Sequence, residues 1–137
     1  MCLITRQKKA KILNKDLKVY KSISIKFDNV ITSYFQSSFI WHQNVLKISD
    51  SLIIKPRLNP VNNNGNDWFY ADGIALNKYK GMSQTYYITF GFHACLTRKR
   101  CINLNYTGNI KEFLIPKGSQ VFYDATGLIV SNQMMML

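Results

Sequence analysis

The sequence predicts an α+β fold, mostly antiparallel strands with one or two short helices in a single domain, and three observations carry that prediction. Apolar residues recur at every second position in several short stretches, most clearly at Tyr86, Ile88, Phe90, Phe92, Ala94 and Leu96. That is the period of a strand with one packed face. Turn-forming groups separate such stretches, among them Asp28-Asn29, Pro116-Lys117-Gly118 and Asp124-Ala125-Thr126-Gly127. Helical signals are confined to a weak one over Ala10, Ile12, Leu13 and Leu17 and a capped one that starts at Thr97. A chain of 137 residues, 47% hydrophobic and 13% aromatic, can bury a core without staples and is not globally disordered.

The elements follow in order. Residues 1–17 read as a basic N-terminal arm, and residues 18–137 as the β-rich domain. Val19, Ile23, Ile25 and Phe27 share one strand face, on which Lys21 is the exception. Asp28-Asn29 tolerates positive φ and suits a tight hairpin. The return strand would set Ile31, Phe35, Phe39 and Trp41 on one side. Val45 to Ile48 and Ser51 to Lys55 are shorter strands, the second stopped by Pro56. The run Asn59 to Asp67 has the composition of a surface loop, and Trp68-Phe69-Tyr70 resumes the extended chain. Tyr86 to Leu96 is the expected central strand, and Gly91 inside it marks a bulge or a close backbone approach. Thr97 would cap a helix through Leu104. Lys111 to Ile115 is a strand, Pro116 and Gly118 take the second and fourth places of a turn, and Val121–Tyr123 with Leu128–Val130 closes the sheet. The terminal Met134-Met135-Met136 is expected to fill core or edge space.

Charge narrows the function. Lys and Arg number 18 against 7 Asp and Glu, a net charge of +11. Glu112 is the only glutamate, so paired carboxylates for acid/base chemistry have few candidates. The lopsided balance points to an anionic partner, an acidic protein surface or a nucleic-acid backbone. Arg6, Lys8, Lys9 and Lys11 in the arm, with Arg98, Lys99 and Arg100 at the start of the helix, are the expected contacts. Lysine dominates the arm, and lysine makes point-charge contacts rather than the forked contacts of base readers. Three cations at a helix N-terminus also oppose its dipole and call for compensation by water or an anion.

Catalytic and metal readings are thin. Cys2, Cys95 and Cys101 make an odd number without disulfide spacing, which suits a reducing compartment. His93, Cys95, Cys101 and the distant His42 lack the spacing of a zinc site, so no metal and no cofactor are expected. No apolar run approaches the ~20 residues of a membrane span, and the N-terminus lacks the apolar stretch of a signal peptide. The expectation is a soluble protein, intracellular or packaged in a particle, with no membrane contact.

Two resemblances bear on origin. Gly91-Phe92-His93-Ala94-Cys95-Leu96-Thr97, a short helix, a strand and the terminal Ile129-Val130-Ser131-Asn132-Gln133-Met134 resemble a small domain of phage and prophage proteins, itself functionally uncharacterised. That resemblance implies a mobile-element origin; the expected location is the virion or the host cytoplasm, with virion proteins among the possible partners. Val19-Tyr20-Lys21, Gly91-Phe92 and Glu112-Phe113-Leu114-Ile115-Pro116-Lys117-Gly118 are arranged as in ADP-ribosyltransferase folds. This second resemblance implies NAD binding, with Glu112 as counterpart of the glutamate that holds the nicotinamide ribose. Val19-Tyr20-Lys21 lacks that family's early arginine or histidine, and His93-Ala94-Cys95 stands in place of its serine-threonine-serine. The leading expectation is therefore a non-enzymatic basic binding protein, a virion accessory or a host-directed factor.

Overall fold

Alternating apolar residues form antiparallel strands over more than half of the described residues, as seen in a computed structural model that describes residues 3–7, 9–33, 39–49, 52, 54–58, 69–70, 85–88, 91–104 and 109–137. In chain order the strands are β1 (Leu3–Thr5), β2 (Lys11–Ile12), β3 (Leu17–Ile25), β4 (Ile31–Ser33), β5 (Ile40–Trp41), β6 (Leu46–Ile48) and β7 (Ile54–Leu58). They continue as β8 (Phe69–Tyr70), β9 (Thr85–Ile88), β10 (Phe92–Cys95), β11 (Asn109–Ile115), β12 (Gln120–Tyr123), β13 (Leu128–Ser131) and β14 (Gln133–Met136). One short helix, α1 (Arg98–Asn103), and a 3-10 turn at Phe27–Asn29 complete the described elements. The expected β-rich, mainly antiparallel character holds.

The larger sheet runs β2-β12-β13-β10-β3-β11-β14-β6, with β4 and β5 branching from β3. Only Asn132 separates β13 from β14, yet β13 pairs with β10 and β14 with β11. One bent strand therefore serves two partners that have β3 between them, and the sheet curls closed around it. Asn132 secures the bend: its N–H donates to Gln120 O at 3.1 Å, and its Oδ1 accepts from Gln120 N at 2.8 Å. The longest ladder joins β3 to β11, from Leu17↔Ile115 to Ile23↔Asn109.

Closure explains the core. Val19, Ile23, Phe113, Ile115, Val121, Ile129, Met134 and Met136 form one buried cluster with Leu13, Trp41 and Ala94. Val121 and Met134 stand five strand spacings apart along the order, about 24 Å in a flat sheet, and they share this cluster because the sheet is rolled. Trp41 sits centrally, with ring centroids 4.8 Å from Phe113 and 5.4 Å from Phe92. Its indole N–H is satisfied by Ser33 Oγ at 2.8 Å, which removes the penalty of burying that donor.

The smaller sheet, ordered β1-β9-β7-β8, covers part of the outer face. Leu3 and Ile88 pack there against Phe122 and Val130 of β12 and β13. Several expectations are corrected at this point. Within the basic N-terminal segment β1 pairs with β9, β2 pairs with β12, and Leu3 and Leu13 are buried. These apolar residues reach core positions, which the surrounding lysines obscured. The expected central strand divides at Gly91 (φ +113) into β9 of one sheet and β10 of the other. A Cβ on Gly91 would collide with Leu52 Cδ2 and lie 3.1 Å from Ser131 O, so the glycine does mark a close approach. Pro56 does not stop its strand, because β7 runs through it opposite Tyr86.

The β3–β4 hairpin forms over Asp28 and Asn29, whose φ values are 63° and 59°. Its far strand is shorter than expected, since β4 turns back to pair with β5 and sets Ile31 opposite Trp41. Ile25 and Phe27, expected on the packed face, are exposed, because they lie past the end of the core. In the turn after β11, Ser119 N donates to Pro116 O at 3.2 Å. Proline thus takes the first place and Gly118 (φ +88) the third, where positive φ is required. Phe35, the loop from Asn59 to Asp67 and Trp68 lie outside the described residues.

The two glycines separate strain from collision. Gly118 has open space where a methyl group would point, so Gly118→Ala should cost only the backbone strain, about 1 kcal/mol. Gly91→Ala adds overpacking to the same strain and should cost roughly 3 kcal/mol or more. Urea denaturation of the two variants beside the wild type measures both.

Candidate functional site

Two of the expected cationic contacts, Lys11 and Arg100, reach the connection between β12 and β13. On one side of it, the segment after β1 runs along β12. Thr5 Oγ1 donates to Tyr123 O at 2.6 Å, and Tyr123 N donates to Gln7 Oε1 at 2.7 Å. Lys11 pairs with Val121 and holds its ammonium 5.9 Å from the centre of the Tyr123 ring, a distance at which a cation is drawn to the ring face. Arg6, Lys9 and Lys11 are exposed beside this seam, and Lys8 lies outside the described residues.

On the other side stands α1. Thr97 Oγ1 accepts from Arg100 N at 3.1 Å and caps the helix as expected. Arg98 and Lys99 are exposed. Arg100 turns back and donates from Nη2 to Thr126 Oγ1 at 3.1 Å, with Nε buried and unpartnered. Gln7 and Lys11 from one segment and Arg100 from another, far apart in sequence, thus reach Tyr123 and Thr126 of the same connection. The acid of that turn is occupied within it: Asp124 Oδ1 accepts from Thr126 N and Leu128 N at 2.8 and 2.9 Å, and Oδ2 accepts from Thr126 Oγ1 at 2.8 Å. Among the described residues, none of Arg6, Lys9, Lys11, Arg98 and Lys99 forms an ion pair.

Glu112 stands apart from this region. It is exposed on β11 and pairs with Lys18 at 3.5 Å, a surface contact of no more than about 1 kcal/mol. Glu112 and Cys95 are each opposite Tyr20 on its two sides, which sets their backbones about 10 Å apart. Cys95 is buried and Glu112 faces water, so the two do not converge.

A polar group that sequence reasoning missed lies inside the sheet. Lys21 occupies the packed face between Val19 and Ile23, and its ammonium donates to His93 O at 2.7 Å. β3 and β10 are in register at Cys95↔Tyr20 alone, so the lysine supplies a donor where the ladder separates. Burial lowers its pKa to about 8, against smaller opposing effects of Cys101 and Cys95. The same burial, then the Lys21 charge, lowers His93 to about 4. His93 Nδ1 lies 3.3 Å from Gly91 O, and Nε2 is buried without a partner. The hydrogen bond to Cys101, with burial, pushes the Cys95 thiol far up, and Cys101 is lowered by the same bond. A lone lysine amid an apolar alternation was the available signal for this group.

Among the described residues no three His, Cys, Asp or Glu side chains are grouped to hold a metal ion. No described helix is long and apolar enough to cross a membrane. No family model, curated protein or solved structure matches the chain.

The buried imidazole makes stability depend on pH. His93 has a folded pKa near 4, below the ordinary 6.5, so between those values the unfolded chain binds the extra proton. The stabilising difference is complete above pH 6.5 and lost as pH falls to 4, at most about 3 kcal/mol. Thermal unfolding from pH 7 to 4 should show this fall, and His93→Gln should flatten it.

Proposed function

We propose that the chain is a non-enzymatic binding protein that engages an anionic partner through the electropositive surface around the β12–β13 turn. It acts as one α+β unit, and its partner is read first as a nucleic-acid backbone. The observation that carries this reading is that Lys11 and Arg100 reach Tyr123 and Thr126 of one connection whose acid, Asp124, is internally bonded, with Arg6, Lys9, Arg98 and Lys99 exposed on the same two segments. The net charge of +11 adds a long-range attraction for polyanions. Lysine-rich, exposed contacts suit positioning on phosphates rather than recognition of base edges. The phage-domain resemblance adds the setting of a virion accessory or a factor directed at a host component.

Fluorescence anisotropy with a labelled duplex, at several salt concentrations, tests this. Log affinity should fall linearly with log salt, by about 0.9 for each phosphate contacted. Changing Arg6, Lys9, Arg98 and Lys99 to glutamine should reduce that slope by about 1 for each phosphate no longer held. A flat salt response sinks the nucleic-acid reading and leaves an acidic protein surface as the partner.

A further inference from the structure

Two free thiols meet between α1 and β10, behind the exposed cations. Cys95 ends β10 directly opposite Tyr20. Cys101, within α1, brings Sγ to 3.4 Å from the carbonyl oxygen of that same Tyr20. Both cysteines are unpaired, and they are 3% and 1% exposed. The strand and the helix also bring the two thiols within hydrogen-bond reach of each other, the side-chain contact from which a disulfide can close. We propose that Cys95 and Cys101 form a dithiol site that is oxidised to an intrachain disulfide by a small-molecule disulfide of the glutathione class.

The exchange balances without another reactant. The Cys101 thiolate attacks one sulfur of glutathione disulfide, breaks its S–S bond and expels a glutathione thiolate. Cys95, deprotonated, then attacks the Cys101 sulfur of the mixed disulfide and expels the second glutathione thiolate. Two protein thiols are oxidised and one glutathione disulfide is reduced to two thiols, which take up the two protons. Entry requires α1 to lift, and the helix is built for that. It has six residues, too few for stability of its own, and three of them are cations at the end where the helix dipole disfavours them. Cys101 is its one buried residue. Closing the bond would tether the segment that carries Arg98, Lys99 and Arg100, although the chemistry does not depend on what those residues bind.

The folded full-length chain, treated with glutathione disulfide and then alkylated, should carry no alkyl group on Cys95 or Cys101, with peptide mapping joining the two in a peptide pair two hydrogens lighter than the reduced peptides. Cys2→Ser should behave in the same way. In Cys95→Ser the second step has no nucleophile, so a glutathione adduct should accumulate on Cys101. Trypsin cleavage after Arg98 and Lys99, which follows the population of opened helix, should slow by about tenfold in the oxidised protein. The proposal is overturned if both thiols stay reduced in the folded protein while the urea-unfolded chain links them. It is equally overturned if the disulfide that forms involves Cys2.

Discussion

The architecture depends on the bend at Asn132. A strand that continued straight from Leu128 to Met136 could pair with β10 or with β11, but those two strands have β3 between them. By turning at Asn132, the chain gives its first half to one and its second half to the other. Asn132 is suited to this because its amide oxygen and its backbone N–H both bond Gln120, so the kink leaves no buried polar group stranded. The remainder follows. Met134 and Met136 turn inward to meet Phe113 and Trp41, and Phe122 and Val130 remain on the outer face for Leu3 and Ile88 to cover.

The period of two was legible wherever a strand had one buried and one open face. Val19 and Ile23 are buried on the face where alternation put them. Alternation was silent about partners. Tyr86 to Leu96 reads as one strand because its apolar positions never lose phase, yet its two halves belong to different sheets. Gly91 was the visible clue, but a glycine announces a close approach without saying which backbone approaches. Leu3 and Leu13 were hard to read for a different reason. Leu3 and Leu13 are buried through tertiary contacts that local composition does not encode, and neighbouring lysines swamped them.

The site was legible as charge and not as geometry. Arg6, Lys9, Lys11, Arg98 and Lys99 are exposed, as lysine-rich segments ordinarily are. The attachment of their two segments to one connection comes from Thr5, Gln7 and Thr126, polar side chains that carry no motif. Lys21 is the reverse case. A cation on an apolar face looks like an imperfection in the pattern, and only the gap between β3 and β10 explains the need for a long donor that reaches His93 O.

The outer rim of the rolled sheet has its own consequence. β6 pairs with β14 on one side, and no described strand pairs its other side; Leu46 and Ile48 are 41% and 64% exposed there, with Lys47 between them. Such a margin leaves backbone groups on which a further strand could add, and Lys47 between the two exposed apolar residues is the kind of charge that blunts such an edge.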